Sequence, residues 1–166
     1  MTAAIAALFE EYHASLVRML TRRTGDSDRA EEIAQEVFAR AVVAPPRNPR
    51  PWLFAVALNL VREEGRRRVT HERRLMLYKA EQPASAEAPD EVMDRNDRIT
   101  AVRTALDQLT ERDRDALLLK AEGFSYDDIA ATLGLSRGAI GTTLSRARAR
   151  LVEAYHAGKE PHDAAS

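Results

Sequence analysis

The sequence has no cysteine, few glycine and aromatic residues, and no long hydrophobic run. Without cysteine the chain forms neither disulfides nor thiolate metal sites, and a reducing compartment suits it. Its 7 glycines are scattered and its 4 histidines lack metal-ligand spacing, which argues against a phosphate-cradling loop and a metal centre. No apolar stretch reaches membrane-spanning length, and the N-terminal residues carry acids instead of the basic region of a signal peptide. We therefore expect a cytoplasmic protein that is not an enzyme, with no cofactor and no membrane insertion.

Charge is nearly balanced overall but is segregated along the chain. Lys and Arg number 25 and Asp and Glu number 26, which gives a formal net charge of −1. Residues 45–74 contain eight arginines against three glutamates, whereas residues 26–36 and 81–97 are strongly acidic. Separated blocks of this kind predict different faces for different partners, without identifying the partners.

The most informative stretch is residues 125–150, which predicts two helices joined by a tight turn. Ser125 caps the first helix, and Gly134 lies where the chain needs a left-handed turn. Ser136 caps the second helix, whose apolar residues recur at three- and four-residue steps. Those residues are Ile140, Leu144, Ala147 and Leu151. The pattern is typical of the helix-turn-helix motif, which lays its second helix in the DNA major groove.

The second helix of this motif is basic on its solvent side. It carries Arg137, Arg146, Arg148 and Arg150, with no acidic residue between Ser136 and Leu151. A solvated, arginine-rich helix end is the alternative, because cations are favoured near a helix C-terminus. The turn chemistry and the basic face together favour DNA binding.

Hydrophobic periodicity predicts helices over most of the remaining chain and no strand. The expected spans are 3–24, 29–43 and 52–68, followed by two helices between residue 98 and Gly123. Ser27 or Asp28 is the expected cap of the second helix, and Thr110 of the fifth. The expected buried residues of the third helix are Leu53, Val56, Ala57 and Leu60. The fold class is therefore all-α, with an N-terminal helical bundle and a C-terminal four-helix, helix-turn-helix domain.

Four prolines within residues 45–51 predict a stiff loop before the third helix. Arg47 and Arg50 of this loop suit phosphate contacts, and Asn59 of the helix suits a hydrogen bond to a base. Trp52 suits either stacking on an unpaired base or a place in the core, and we favour the core.

Residues 77–97 are rich in Ala, Pro, Glu and Asp and lack an apolar face, which predicts a flexible acidic linker. This linker separates an N-terminal domain, residues 1–76, from a C-terminal domain, residues 98–157. A frayed tail is expected at residues 158–166.

Several blocks resemble the extracytoplasmic-function (ECF) sigma factors, the smallest members of the main bacterial sigma-factor family. AEEIAQEVF at residues 30–38 is similar to the family's helix that binds the clamp of the polymerase large subunit. PWLFAVALN at residues 51–59, with the arginines at 66–68, is similar to its promoter-facing helix. LTERDR at residues 109–114 and GFSYDDIA at residues 123–130 resemble its C-terminal domain.

The resemblance implies a subunit that binds core RNA polymerase, at its clamp and flap, and directs it to promoter DNA. The core-binding residues it marks are Glu31, Glu32, Gln35 and Glu36. Those it marks at the promoter's −10 element are Arg47, Asn48, Arg50, Trp52, Asn59, Arg62, Arg66 and Arg67. Those it marks at the −35 element are Ser136, Arg137, Gly141, Thr142, Ser145, Arg146 and Arg148. An anti-sigma protein is a further partner that the resemblance suggests.

Three positions depart from the family pattern. Glu63 stands where the family often has Asp in the promoter-facing helix, which is a mild change. Gly141 and Thr143 stand where many members have Lys and Arg, so two DNA contacts are expected to be missing. This loss favours an alternative in which the chain mimics a sigma factor and sequesters an anti-sigma protein, although a mimic has no need of the arginines. A dimeric helix-turn-helix repressor is a third interpretation, but it leaves the N-terminal domain without a role.

Overall fold

The computed structural model describes residues 3–78 and 94–158, and over these residues it contains helices and no strand. The helices are α1 Ala3–Thr24, α2 Ser27–Val43, α3 Pro49–Tyr78, α4 Asp94–Asp107, α5 Glu111–Ala121, α6 Tyr126–Leu133 and α7 Arg137–Ala157. The all-α prediction and the span of α1 are confirmed. Helices α3 and α4 extend into both ends of the predicted linker. The rest of that linker and residues 159–166 of the predicted tail lie outside the described residues.

The start of α2 differs from the prediction by one residue or two. Asp26, with extended backbone, is the N-cap, and its carboxylate accepts hydrogen bonds from the N–H groups of Asp28 (3.0 Å) and Arg29 (3.1 Å). Ser27 and Asp28, the predicted caps, already belong to the helix. Three consecutive polar residues can each serve as a cap, and the turn at Gly25 decides in favour of the first of them.

Helix α3 is longer than predicted at both ends. It begins at Pro49 because the first N–H groups of a helix have no intrahelical acceptor, so prolines are tolerated there. The Trp52 N–H donates to the Asn48 carbonyl at 3.3 Å. The helix continues past the predicted end at residue 68 to Tyr78, through a run rich in arginine, which favours helix.

The buried positions of α3 also differ from the single apolar face that was predicted. Leu53 and Ala57 are buried as expected, whereas Val56 and Leu60 are only partly buried. Three further residues are buried instead: Phe54, Leu58 and Val61. The reason is that α3 packs against α1 and α2 on one side and against α6 on another. One amphipathic face cannot describe a helix covered from two directions.

The N-terminal domain (α1–α3) and the C-terminal domain (α4–α7) share one continuous hydrophobic core. Phe54 of α3 meets Phe124, which precedes α6, edge to face with ring centroids 4.7 Å apart. The guanidinium carbon of Arg50 lies 4.2 Å from the centroid of the same Phe124 ring. We call this packing of α3 and α1 on α5 and α6 the closed arrangement.

The predicted helix-turn-helix is formed by α6 and α7. The Ser125 hydroxyl accepts a hydrogen bond from the Asp128 N–H at 3.1 Å, and Gly134 has φ +67 in the left-handed region. Ile140, Leu144 and Ala147 are fully buried on the inner side of α7, while Leu151 is partly buried. Ser136 occupies the N-cap position of α7, but its side chain makes no capping hydrogen bond, contrary to the prediction.

The remaining C-terminal helices match the prediction in part. The Thr110 hydroxyl accepts a hydrogen bond from the Asp113 N–H at 3.2 Å, which confirms the cap of α5. On α4, Ala105 and Leu106 are buried, whereas Ile99 and Val102, which lie at helical spacing from them, are 50% and 41% exposed. The inner face of α4 therefore covers only the C-terminal part of the helix.

The turn at Gly134 gives a testable pair of substitutions. Gly134→Ala is expected to lower the free energy of unfolding by about 1 kcal/mol, because a Cβ in the left-handed region is strained although nothing lies within 4 Å of it. Gly65→Ala, in the exposed interior of α3 with equally open surroundings, is expected to raise it by about 0.5–1 kcal/mol. Urea denaturation measures both, and equal signs would contradict this explanation.

Candidate functional site

The exposed side of α2 carries the four residues predicted to bind core polymerase. Each glutamate pairs with one basic residue: Glu31 with His13 (2.9 Å), Glu32 with Arg29 (2.6 Å) and Glu36 with Arg40 (3.0 Å). Their side chains nevertheless remain 46%, 65% and 53% exposed, and Gln35 beside them is exposed. Exposed ion pairs of this kind contribute about 0–1 kcal/mol, so a basic partner can displace them readily. The opposite side of α2 is buried, at Ala30, Ile33, Ala34, Val37, Phe38 and Ala41.

Of the predicted DNA contacts in the loop before α3 and in the first turn of α3, some are exposed and others are partly buried. Arg47 and Asn48 are exposed. Arg50, in the first turn of α3, donates from Nη2 to the Glu122 carbonyl at 3.2 Å, and its Nη1 lies 3.6 Å from Oδ2 of Asp128. Trp52 is partly buried and packs against the core, in agreement with the core interpretation.

Further along α3 the same division recurs. Asn59, Arg66 and Arg67 are exposed, whereas Arg62 is only partly so. Arg62 donates from Nη2 to Oδ2 of Asp115 at 2.5 Å, and Asp115 on α5 is fully buried. The guanidinium predicted to face the −10 element is therefore bound to the C-terminal domain in the closed arrangement.

Two acidic residues of the C-terminal domain form ion pairs with arginines of α1. Asp115 also accepts a hydrogen bond from Nε of Arg23 at 3.3 Å. Burial lowers the pKa of the Arg23 guanidinium, and the positive charge of Arg114 lowers it further. Glu122, whose side chain is 2% exposed, pairs with Arg18 (2.8 Å) and Arg22 (3.3 Å).

On α7 the basic residues are less free than the sequence suggested. Arg146 donates from Nη2 to Oδ1 of Asp113 at 2.8 Å, and Nη1 of Arg150 lies 3.4 Å from Oδ2 of the same carboxylate. Asp113 is fully buried, and its hydrogen bond raises the pKa of Arg146 above the usual value. Arg137 pairs with Asp127 at 2.7 Å. Residues 137–151 of α7 contain no acid, and the acidic partners of these arginines are supplied by α5 and α6.

The other predicted −35 residues occupy different surroundings. Ser136, Thr142, Ser145 and Arg148 are exposed. Gly141 lies beside α6, where an added Cβ would sit 3.7 Å from the Tyr126 ring. Thr143 is only 5% exposed, so its side chain lies on the inner side of α7.

Membrane-spanning helices and metal-ion sites are the two other features to consider in residues 3–78 and 94–158. No helix in these ranges is long and apolar enough to cross a membrane. The same residues contain no group of three or more His, Cys, Asp or Glu side chains placed to hold a metal ion.

Known proteins similar to this chain share both of its domains. Residues 8–70 match Sigma-70 region 2, and residues 99–151 match Sigma-70, region 4. The ECF RNA polymerase sigma factor SigL of Mycobacterium tuberculosis is 34% identical over 152 residues, which cover 86% of this chain and 83% of the relative. This chain belongs to the ECF sigma factors. The ECF RNA polymerase sigma factor EcfG of Rhodopseudomonas palustris is also 34% identical to this chain. The aligned residues cover 77% of this chain and 72% of that relative.

Solved structures resemble the sigma factor over nearly its whole length. RpoE, in its complex with the anti-sigma factor NepR from Bartonella quintana, has a TM-score of 0.65 and 26% identity, covering 92% of this chain and 97% of that one. CnrH, in its complex with the cytosolic domain of CnrY, has a TM-score of 0.65 and 25% identity, with coverage of 93% and 88%. The predicted −10 residues lie within the region 2 match and the predicted −35 residues within the region 4 match.

Sequence reasoning missed the buried acids of the C-terminal domain that bind arginines of α1 and α3, among them the predicted −10 residue Arg62. Asp115 of α5 and Glu122, the C-cap residue of that helix, lie seven residues apart, on the same face as the buried Leu118 and Leu119. A carboxylate within an apolar helical stripe was the available signal, since such a residue is seldom buried unless it is paired. The partners were not predictable, because they lie on α1 and α3, far away in sequence.

Proposed function

We propose that this sigma factor binds core RNA polymerase through the exposed acidic side of α2 and positions it on promoter DNA through both domains. The protein acts in the cytoplasm, where it contacts the clamp and the flap of the polymerase. The loop before α3 and the exposed side of α3 contact and open the −10 element. The outer side of α7 contacts the −35 element. The chain itself catalyses no reaction, and the energy for strand opening comes from binding.

The observation that carries this proposal is the separation of opposite charges onto different exposed faces. Glu32 and Glu36 point to solvent on α2, while Arg66 and Arg67 on α3 and Arg148 on α7 are exposed basic groups in the two matched regions. Arginine contacts to phosphate position a protein on DNA, and acidic groups would be repelled from it. The acidic side therefore suits a protein partner and the basic sides suit the duplex.

The closed arrangement covers part of the proposed −10 surface, and this part is freed only after the domains separate. Arg50 and Arg62 are held by Glu122, Asp128 and Asp115 of the C-terminal domain. Binding to polymerase would exchange these carbonyl and carboxylate contacts for contacts to DNA phosphates, which are also acceptors for guanidinium groups. Core polymerase thus acts as the factor that opens the molecule.

We extend one further partner to this chain, an anti-sigma protein, because RpoE and CnrH were each solved with one. The dimeric repressor interpretation accounts for the match at residues 99–151 alone. It leaves the match at residues 8–70 without a role.

In vitro transcription on fragmented genomic DNA tests the proposed function. Core polymerase with the purified chain is expected to yield discrete transcripts whose mapped 5′ ends share a pair of upstream elements. Core polymerase alone is the control and should yield none of these transcripts. Equal transcript patterns with and without the chain would overturn the proposal.

A further inference from the structure

A cavity of 590 Å³ lies at the junction of α1, α2, α3 and α5, and its lining is strongly basic. Six arginines line it: Arg23, Arg29, Arg62, Arg66, Arg68 and Arg114. The lining also contains two carboxylates, those of Glu64 and Glu111. The volume is typical of a pocket for a small molecule, for which about 300–1,000 Å³ is usual.

The carboxylates around the cavity do not neutralise these arginines. Glu64 pairs with Arg29, and Glu111 lies 3.4 Å from Nε of Arg62. Asp115, behind the lining, is shared between Arg23 and Arg62. Among the described residues, the acidic partner of the Arg114 guanidinium is Asp107, at 3.3 Å and on the side of α4. Within the part of the chain that the structure describes, Arg66 and Arg68 have no acidic partner.

Hydrogen-bond donors are also left over at this site. Nε of Arg62 and Nε of Arg114 are buried, and neither has a hydrogen-bond acceptor. The Arg114 side chain is 11% exposed, as is that of Arg23. A buried donor without an acceptor is unfavourable by about 1–3 kcal/mol, more where the group is charged. The like charges of Arg23 and Arg114 repel each other, consistent with the lowered pKa of Arg23.

We propose that this arginine-lined cavity binds the polyphosphate chain of a small molecule, either inorganic or carried by a nucleotide. Guanidinium groups form paired hydrogen bonds with phosphate oxygens, and a chain of several phosphates offers acceptors to several arginines at once. A bound chain supplies the acceptors that Arg62 and Arg114 lack. It also neutralises the repulsion between Arg23 and Arg114.

Binding at this position couples the ligand to the arrangement of the domains. Arg62, Arg66 and Arg68 belong to the N-terminal domain and Arg114 to the C-terminal domain, so the ligand bridges the two. A ligand that needs both domains stabilises the closed arrangement by mass action. It also occupies Arg62 and Arg66, two of the residues proposed to contact the −10 element.

Calorimetric titration of the free, full-length chain tests this inference without polymerase or promoter DNA. The probes are inorganic tripolyphosphate, ATP and AMP at about 0.15 M salt. Arg114→Gln is expected to weaken tripolyphosphate binding by about tenfold or more, because a hydrogen bond to a charged group contributes about 1.5–3 kcal/mol. Arg68→Gln, on the exposed rim, tests the site without disturbing the buried lining. Arg112→Gln, exposed on the same helix and outside the lining, removes an equal charge and should leave affinity unchanged.

The outcomes separate the sources and can overturn the inference. Equal affinity for tripolyphosphate and ATP, with weaker AMP binding, shows that the phosphate chain is recognised. Much tighter binding of ATP assigns the nucleotide as the source. Affinity for tripolyphosphate weaker than about 1 mM, or an equal loss in Arg112→Gln and in both cavity variants, would show that no such site exists.

Discussion

Replacing Asp115 with Ala is expected to open the closed arrangement and to lower the free energy of unfolding by about 3–5 kcal/mol. Asp115 is fully buried and holds Arg23 of α1 and Arg62 of α3. Its removal deprives Arg23, 11% exposed, of the carboxylate with which it pairs and leaves it beside the positive charge of Arg114. Breaking a buried ion pair from one side is strongly unfavourable because the remaining charge stays desolvated. Separation of the two domains relieves that cost by returning both arginines to water.

Two labels, one on α2 and one on α7, report the opening through the distance between them, and urea denaturation reports the stability. Asp127→Ala is the matched control, since it removes the same carboxylate from the same domain. Asp127 pairs with Arg137, but both side chains are more than 70% exposed. An exposed pair contributes about 0–1 kcal/mol, so the control should keep the closed distance and nearly all of the stability.

The Asp115 substitution also bears on DNA binding. Because it frees Arg62, the variant without polymerase is expected to bind −10 single-stranded DNA more tightly than the unsubstituted chain. A second substitution, Arg62→Ala, should remove this gain. If Asp115→Ala leaves both the label distance and the stability unchanged, the closed arrangement does not depend on this ion pair and the interpretation is wrong.

The local chemistry of the chain made its helices predictable, because caps and turns depend on neighbouring residues. The hydroxyl groups of Ser125 and Thr110 cap α6 and α5, and Gly134, which has no side chain, adopts the left-handed turn after α6. The cap of α2 was misassigned among adjacent polar residues, where sequence offers no way to choose. The buried side of α3 was misjudged for a different reason. Phe54 is covered by Phe124, a residue 70 positions later in the sequence. The hydrophobic periodicity of α3 alone cannot predict a contact with so distant a residue.

The candidate sites show the same limit. The exposed acids of α2 were predictable, since they lie opposite an apolar stripe on a single helix. The pairing of Arg146 and Arg150 with Asp113, and of Arg62 with Asp115, depends on how helices pack. Arg62 and Arg146, which the sequence analysis marked as DNA contacts, therefore also hold the protein together in this structure.

Reversing the charge of two exposed acids on α2 is expected to abolish most binding to core polymerase. Glu32 and Glu36 are four residues apart on one face, and their side chains are 65% and 53% exposed. Replacing both with Lys turns attraction to a basic partner surface into repulsion, and close charge pairs at interfaces contribute about 2–5 kcal/mol. We expect an affinity loss of about 100-fold or more, measured by fluorescence anisotropy of the labelled chain with core enzyme.

The control for this experiment must change the net charge equally without altering α2. Glu10→Lys with Glu153→Lys does so, because both residues are exposed and lie on α1 and α7. Glu32→Gln with Glu36→Gln forms an intermediate step, and its affinity should fall between those of the unsubstituted chain and the Lys variant. Added Lys next to Arg29 and Arg40 destabilises α2 only by about 0.2–0.5 kcal/mol per pair, so all variants should melt cooperatively. Equal affinity in the α2 variant and the control would mean that the polymerase contacts a different face of the molecule.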